Sequence, residues 1–161
     1  MKIKLSHLLV IWILSTVLFA NTKKKLRLLN AGKLEQFTKD GELVKKLTDD
    51  IHFRKGKVDL KCQLAYWYEN INRADFFDDV IVTNKDRVLT AQSLIYYTDK
   101  DIIRAYGNPV LQDSTGKIFA DTLIYNVENE IFYCKGNVRL RQTKKNLTAK
   151  HLTYLAAQKK T

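Results

Sequence analysis

Apolar positions along this chain recur with two superimposed periods. At short range they alternate. Leu89 with Ala91, Ile118 with Ala120 and Leu147 with Ala149 each fall on one side of an extended backbone, as do Leu94 with Tyr96, Leu123 with Tyr125 and Leu152 with Tyr154. At long range the pattern returns every 29 residues: Trp67, Tyr96, Tyr125 and Tyr154 form one column, Leu60, Leu89, Ile118 and Leu147 a second, and Cys62, Ala91, Ala120 and Ala149 a third. No long stripe at the helical period of about 3.6 residues runs between Ile51 and Tyr154. The pattern predicts an all-β chain built of stacked units, none of which can bury its apolar face alone.

One unit shows how the chain is expected to run. It begins at Val80-Ile81-Val82, turns at Asn84-Lys85-Asp86, resumes at Val88-Leu89-Thr90-Ala91 and continues through Leu94-Ile95-Tyr96-Tyr97. It turns again at Thr98-Asp99-Lys100-Asp101 and returns through Ile102-Ile103-Arg104-Ala105-Tyr106 to Gly107-Asn108-Pro109. Ala91 and Leu94 are three residues apart, which would put them on opposite faces of a straight strand. A corner is therefore expected at Gln92-Ser93, and at Asp121-Thr122 and Lys150-His151, so that the apolar face stays inward. Asp40-Gly41 is a hairpin signal, and Asn30-Ala31-Gly32-Lys33-Leu34 echoes Thr90 to Leu94, so the stack should begin near Arg27 with a partial unit. Strands that turn corners with every apolar face inward build a folded-over antiparallel sheet around a long slot, with open sheet edges at its ends.

Composition changes this picture in three places. The first is the N-terminus: Lys2 and Lys4 precede an apolar run from Leu8 to Phe19 that ends at Ala20. That is the pattern of an export signal cleaved near Ala20, the alternative being a retained anchor. Residues 1–20 are thus set aside, and 21–161 are expected to form one domain, since one Pro and six Gly leave no linker composition. The second is the pair of cysteines. Export permits a disulfide, but Cys62 stands in the alanine column and Cys134 at another phase, so both are expected as free, small buried residues. The third is charge: 28 Lys plus Arg against 17 Asp plus Glu give +11. An exported chain whose tyrosines follow a packing column is not expected to bind nucleic acid. The basic runs Lys23-Lys24-Lys25, Lys144-Lys145 and Lys159-Lys160 flank the two ends of the stack, where they guard open edges or meet a partner.

Catalytic patterns are missing. Outside the signal only His52 and His151 remain, and no serine elbow, metal-spaced cluster or phosphate loop occurs. Asp49-Asp50 and Asp78-Asp79 sit at positions expected to be turns, where carboxylates cap backbone groups. No recurring acidic column points to a polysaccharide-cleaving solenoid. Asn146-Leu147-Thr148 is a glycosylation sequon only by accident of the repeat. The chain is expected to be no enzyme, with no cofactor and no metal.

The recurring unit resembles the OstA/LptA-like domain family of lipopolysaccharide transport. The resemblance rests on Val80, Leu89-Thr90-Ala91, Leu94 and Tyr96; on Val110, Ala120-Asp121, Leu123 and Tyr125; and on Gly136-Asn137-Val138, Leu147-Thr148-Ala149, Leu152 and Tyr154, within a stretch of roughly residues 28–157. It implies a β-jellyroll, or taco-like folded sheet, in the periplasm, whose apolar groove shields the acyl chains of lipopolysaccharide. It also implies edge-to-edge strand pairing with itself or with other Lpt-type proteins, bridging inner and outer membranes. The groove would be lined by Ile51, Phe53, Leu60, Val80, Val82, Leu89, Val110, Ile118, Val138, Leu140 and Leu147. Arg73, Arg104, Lys117 and Arg139 are the candidates for head-group contacts. The alternative is an adaptor that docks to a transport component by its edge strands and carries no lipid. Cys62 in place of Ala, and Asp78-Asp79 in place of Gly-Asn, depart from the family pattern.

Overall fold

The computed structural model describes residues 24–156; the expected signal segment lies outside them. Twelve strands follow one another: β1 (Arg27–Asn30), β2 (Lys33–Lys39), β3 (Glu42–Lys55), β4 (Val58–Tyr68), β5 (Arg73–Asn84), β6 (Arg87–Tyr97), β7 (Ile102–Tyr106), β8 (Val110–Gln112), β9 (Gly116–Phe119), β10 (Thr122–Asn126), β11 (Ile131–Gln142) and β12 (Lys145–Leu155). One turn of 3-10 helix, Glu69–Ile71, joins β4 to β5. All strand pairs are antiparallel and belong to one sheet. The all-β expectation and the start near Arg27 both hold.

The sheet is folded over into two layers. The first runs β1, β3, β4, β5, β6, β8, β9, β11, β12, and the second runs β2, β3, β4, β5, β6, β7, β10, β11, β12. Most long strands appear in both because they cross the corner without a break. The sequence pattern suggests separate short pieces; they occur as β1 and β2 and from β7 to β10. Between β7 and β8 the strand breaks at Pro109, which lacks an N–H.

Each corner has the same construction. Two consecutive residues with positive φ, Asp49-Asp50, Asp78-Asp79, Gly107-Asn108 and Gly136-Asn137, recur at the 29-residue period. In β3, β5 and β11 they lie opposite a single residue of the next strand, and the register shifts there between Thr48 and Ile51, Phe77 and Val80, and Lys135 and Val138. These acidic pairs are therefore bulges inside continuous strands, not turns between strands. The bulge explains the odd spacing of apolar residues. Inward positions are three apart on one strand, as in Ala91 to Leu94, and four apart on its neighbour, as in Phe76 to Val80. The expected corners at Gln92-Ser93, Asp121-Thr122 and Lys150-His151 are the single-residue side of this arrangement.

Only residues that tolerate left-handed backbone serve at these positions: Gly without penalty, Asn and Asp with little. At Gly136 a Cβ would collide with the Asp121 carboxylate, which itself accepts from Asn137 Nδ2 at 2.9 Å. Asp121 N–H closes the same corner by donating to the carbonyls of Lys135 and Gly136 at 3.2 and 3.0 Å. At the other end of the stack Gly32 N–H does the equivalent with Thr48 and Asp49. The hairpin at Asp40-Gly41 has positive φ at both residues, as a tight two-residue turn between twisted strands requires.

The corner chemistry leads to a stability test. Asp79→Gly is expected to leave the urea midpoint unchanged or raised. Asp79→Val, which places a β-branched side chain in left-handed backbone, is expected to cost about 1–2 kcal/mol with no change in the denaturant slope. Equal effects of the two substitutions would mean that backbone handedness does not govern the corner.

Candidate functional site

The two layers face each other across an apolar interior that runs the length of the stack. The first layer contributes Ile51, Phe53, Leu60, Val80, Val82, Leu89, Ile118 and Val138, all buried. Leu140 is half-buried, and Leu147, on the end strand β12, is 47% exposed. Val110, expected to line the groove, does not: it pairs with exposed Thr90 on the outer face, and its buried neighbour Leu111, opposite Leu89, takes the inward place. At the 29-residue period Val110 corresponds to outward Ile81 and not to Val80. The other residues expected to line a groove all belong to one layer. The opposite wall comes from Leu47, Phe76, Leu94, Tyr96, Ile103, Leu123, Tyr125 and Phe132. The Leu-x-Tyr columns of the sequence fall on this wall. The layers are in contact: Phe53 meets Trp67 and Phe76 of the opposite wall edge-on at 5.3 and 5.5 Å between ring centres. Within that wall Tyr125 stacks on its cross-strand partner Phe132 at 4.1 Å. Cys62 and Cys134 are buried and free, and burial pushes their thiols up to about 12 and about 11.

One long side of this sandwich is the line of corners, where the backbone is continuous. The other long side is a seam where hairpin tips of the first layer meet tips of the second, held by side chains alone. The seam repeats with the units. Lys55, Asn84 and Asp113 stand 29 residues apart, and each faces the tyrosine 41 positions later. In the first rung Lys55 Nζ lies 5.4 Å from the centre of the Tyr96 ring and 2.6 Å from Asp101 Oδ1, which also accepts from Tyr96 Oη at 2.7 Å. In the second, Asn84 Nδ2 donates to Tyr125 Oη at 2.7 Å. In the third, Tyr154 Oη donates to Asp113 Oδ2. Beside the second rung Glu130 accepts from Lys85 at 2.5 Å and Arg87 at 3.0 Å. At the first rung the depression between tips is flanked by Lys24, Leu26 and Trp67.

Of the four buried polar or charged side chains among the described residues, three are seam residues: Lys55 at 6% exposed, and Asn84 and Arg87 at 7% each. Burial of such groups is unfavourable unless they are paired. Their pairing is incomplete, because Asn84 Oδ1 and Arg87 Nη1 have no partner. Burial raises the tyrosines: Tyr125, Tyr154 and, furthest, Tyr96, which its hydrogen bond to Asp101 raises again. For Glu130, burial would raise the carboxyl, but hydrogen bonds from Lys85 and Arg87 outweigh it and the net shift is downward. Asp113 is likewise lowered, burial being overcome by Tyr154, Thr115 and the Gly116 N–H.

The arginines expected at a head-group rim stand elsewhere. Arg104 lies between buried Ile103 and Ala105, and Lys117 and Arg139 flank buried Ile118 and Val138, so all three face outward. Arg104 lies over Tyr97 and Arg139 over Phe119, and Arg73 is tied to Asp75 at 2.7 Å. The cations at the rim include Lys55, Lys85 and Arg87. His52 joins Arg54 in an outer-face pairing with Asp59, at 2.6 and 2.8 Å. Among the described residues no group of three or more His, Cys, Asp or Glu could hold a metal ion.

A model of the family described as OstA-like protein matches the chain twice, over residues 23–90 and 76–161. The chain belongs to the OstA-like family. Two overlapping matches along one OstA-like chain accord with its internal repeat. No curated protein matches it. Among solved structures it is similar to LptH of Pseudomonas aeruginosa, described as the LptA-homologous periplasmic component of a lipopolysaccharide transport device. The TM-score is 0.61 at 11% identity, covering 70% of this chain and 83% of LptH. At that identity the likeness is one of fold, an LptA-like β-jellyroll.

Two tests address the seam of this OstA-like chain. Glu130 and Asp113 have lowered carboxyl pKa values, so each stabilises the fold above its ordinary value, 4.5 and 3.8, and the contribution is lost as pH falls through the folded-state value. Melting temperature should therefore fall on acidification below about pH 4.5, and Glu130→Gln should shallow that fall. An unchanged slope in Glu130→Gln would remove the carboxylate from the account. Separately, Tyr125→Phe strips the buried Asn84 amide of its partner and is expected to cost about 1–3 kcal/mol. Tyr154→Phe, whose partners Asp113 and Thr115 bond to other groups as well, should cost less; the reverse order by chemical denaturation would contradict this assignment.

Proposed function

We propose that this protein is an exported lipid carrier of lipopolysaccharide transport. It would work in the periplasm after loss of residues 1–20, hold acyl chains between its two layers, and pass them on at its open ends. The observation that carries the reading is the interior itself: two apolar walls, repeated along one axis and open at both ends of the stack. The family membership and the fold shared with a periplasmic transport component support it. A buried methylene contributes about 0.8 kcal/mol, so a fully shielded chain of about 12 carbons contributes on the order of 10 kcal/mol without any charged site. Identical units make each step along the axis nearly isoenergetic, which transport requires.

The packed contact of Phe53 with Trp67 and Phe76 means that a chain enters by parting the layers. The corner side is backbone, so parting occurs at the seam. The ends suit docking. Among the described residues β1 and β2 leave unpaired edges with Leu29, Leu34 and Phe37 exposed, and β12 leaves one with Leu147 and Leu155 exposed. From Ile131 to Thr161 the chain has no Asp or Glu, while Lys145 and Lys150 stand on β12. That favours a partner strand with acidic residues over a second copy, whose β2 carries Lys33 and Lys39 beside Glu35. A second reading, an adaptor that docks by its edges and carries no lipid, draws on the same filled interior.

Photo-crosslinking residues at Leu89, Ile118 and Val138 are expected to give lipopolysaccharide adducts in cells. Lys85→Cys with Glu130→Cys, stapled by a bifunctional maleimide, should suppress those adducts, because the two sites face each other across the seam. Buried Cys62 and Cys134 should stay unlabelled. Adducts at none of the three sites, with a working positive control, would leave the adaptor reading. Undiminished adducts in the stapled protein would mean entry at an open end.

A further inference from the structure

A depression of about 540 Å³ opens on the seam, lined by residues that include Lys24, Lys55, Lys57, Lys85, Asn84 and Glu130. Its cations are of two kinds. Lys55 and Lys85 are held by Asp101 and Glu130, whereas Lys24 and Lys57 have no carboxylate partner among the described residues. Glu130 also holds the buried Arg87, whose Nη1 has no acceptor, and Asn84 leaves one amide atom unpartnered. The Asn84 amide can be turned so that its oxygen accepts from Tyr125 and its NH₂ becomes the free group. Buried donors without acceptors beside unpaired ammonium groups describe a site that lacks an anion.

We propose that this depression binds a phosphate monoester, presented by the head group of an amphiphile whose chains enter the interior. The phosphate oxygens would accept from Lys85, from the turned Asn84 amide and from the unpaired lysines on the wall, and from Arg87 Nη1, which does not line the depression, once Glu130 swings away from it. They compete with Glu130, which at present ties the tip after β5 to the tip before β11. Binding therefore does two things at once: it satisfies the orphaned donors and releases a cross-seam ion pair, loosening the lips where the apolar chains must pass. The amphiphile as source of the phosphate rests on the lipid-carrier reading; the anion site does not.

The test is calorimetric titration of wild type, Arg87→Gln, Glu130→Gln and the outer-face control Arg104→Gln. The probes are inorganic pyrophosphate, an alkyl phosphate monoester below its micelle concentration, and its dephosphorylated counterpart. Phosphate-bearing probes should bind wild type and Arg104→Gln alike, at least tenfold more weakly to Arg87→Gln, and several-fold more tightly to Glu130→Gln, where the competitor is gone. A merely structural role for Glu130 would not tighten anion binding. Circular dichroism checks folding, and Lys85→Gln replaces Arg87→Gln should the latter not fold. Equal affinities across wild type and the two seam variants overturn the site, even if both amphiphiles bind and the lipid-carrier reading survives. Pyrophosphate that follows the variants while neither amphiphile binds upholds the site and removes the lipid as its source.

Discussion

The paired left-handed residues at each corner are the constraint on which everything else rests. A flat antiparallel strand presents alternate side chains to opposite faces, so a sheet this wide would leave one apolar face in water. Folding it over places two apolar faces together, but only if inward-facing positions are re-phased at the crease. Two residues opposite one accomplish that, because a shift of one position sends every following side chain to the other face. Without the bulge at Asp78-Asp79, β5 could not direct both Phe76 and Val80 inward while β6 directs Leu89 and Leu94 inward.

The crease and the seam are unequal sides of one sandwich. At the crease the connection is covalent and the backbone groups are paired. At the seam it consists of rungs such as Asn84 to Tyr125 and Lys55 to Asp101, each worth about 0.5–1.5 kcal/mol net, more where charge is involved. Opening at the seam also exposes apolar wall, at about 25 cal/mol per Å². An amphiphile that refills the interior returns that second contribution. The polar rungs are then the part of the opening cost that the lipid chains themselves do not offset.

Much of the fold was legible because burial imposes periodicity. The Leu-x-Ala and Leu-x-Tyr columns gave the inward faces, and the three-residue step at Ala91 to Leu94 gave the corner. The other half of the corner was harder to see because its residues differ in kind. Asp-Asp and Gly-Asn look unalike, yet both supply left-handed backbone. The seam was harder still, since Lys55, Asn84 and Asp113 share a place in the fold and no chemistry; only their tyrosine partners repeat. The arginines show the opposite case. Total charge does not tell which face a cation occupies, but the position of Arg104 between Ile103 and Ala105 did carry that information.

The unit's regularity also makes the chain a ruler. Each 29-residue unit adds two strands to each layer, and strands lie about 4.8 Å apart, so each unit lengthens the sandwich by about 9.5 Å. Among the described residues neither layer closes on itself, so no barrel circumference limits the number of units. Duplication or loss of one unit would change the length of the interior in equal increments, leaving its width and lining unaltered. A protein of this design can be fitted to a distance by counting.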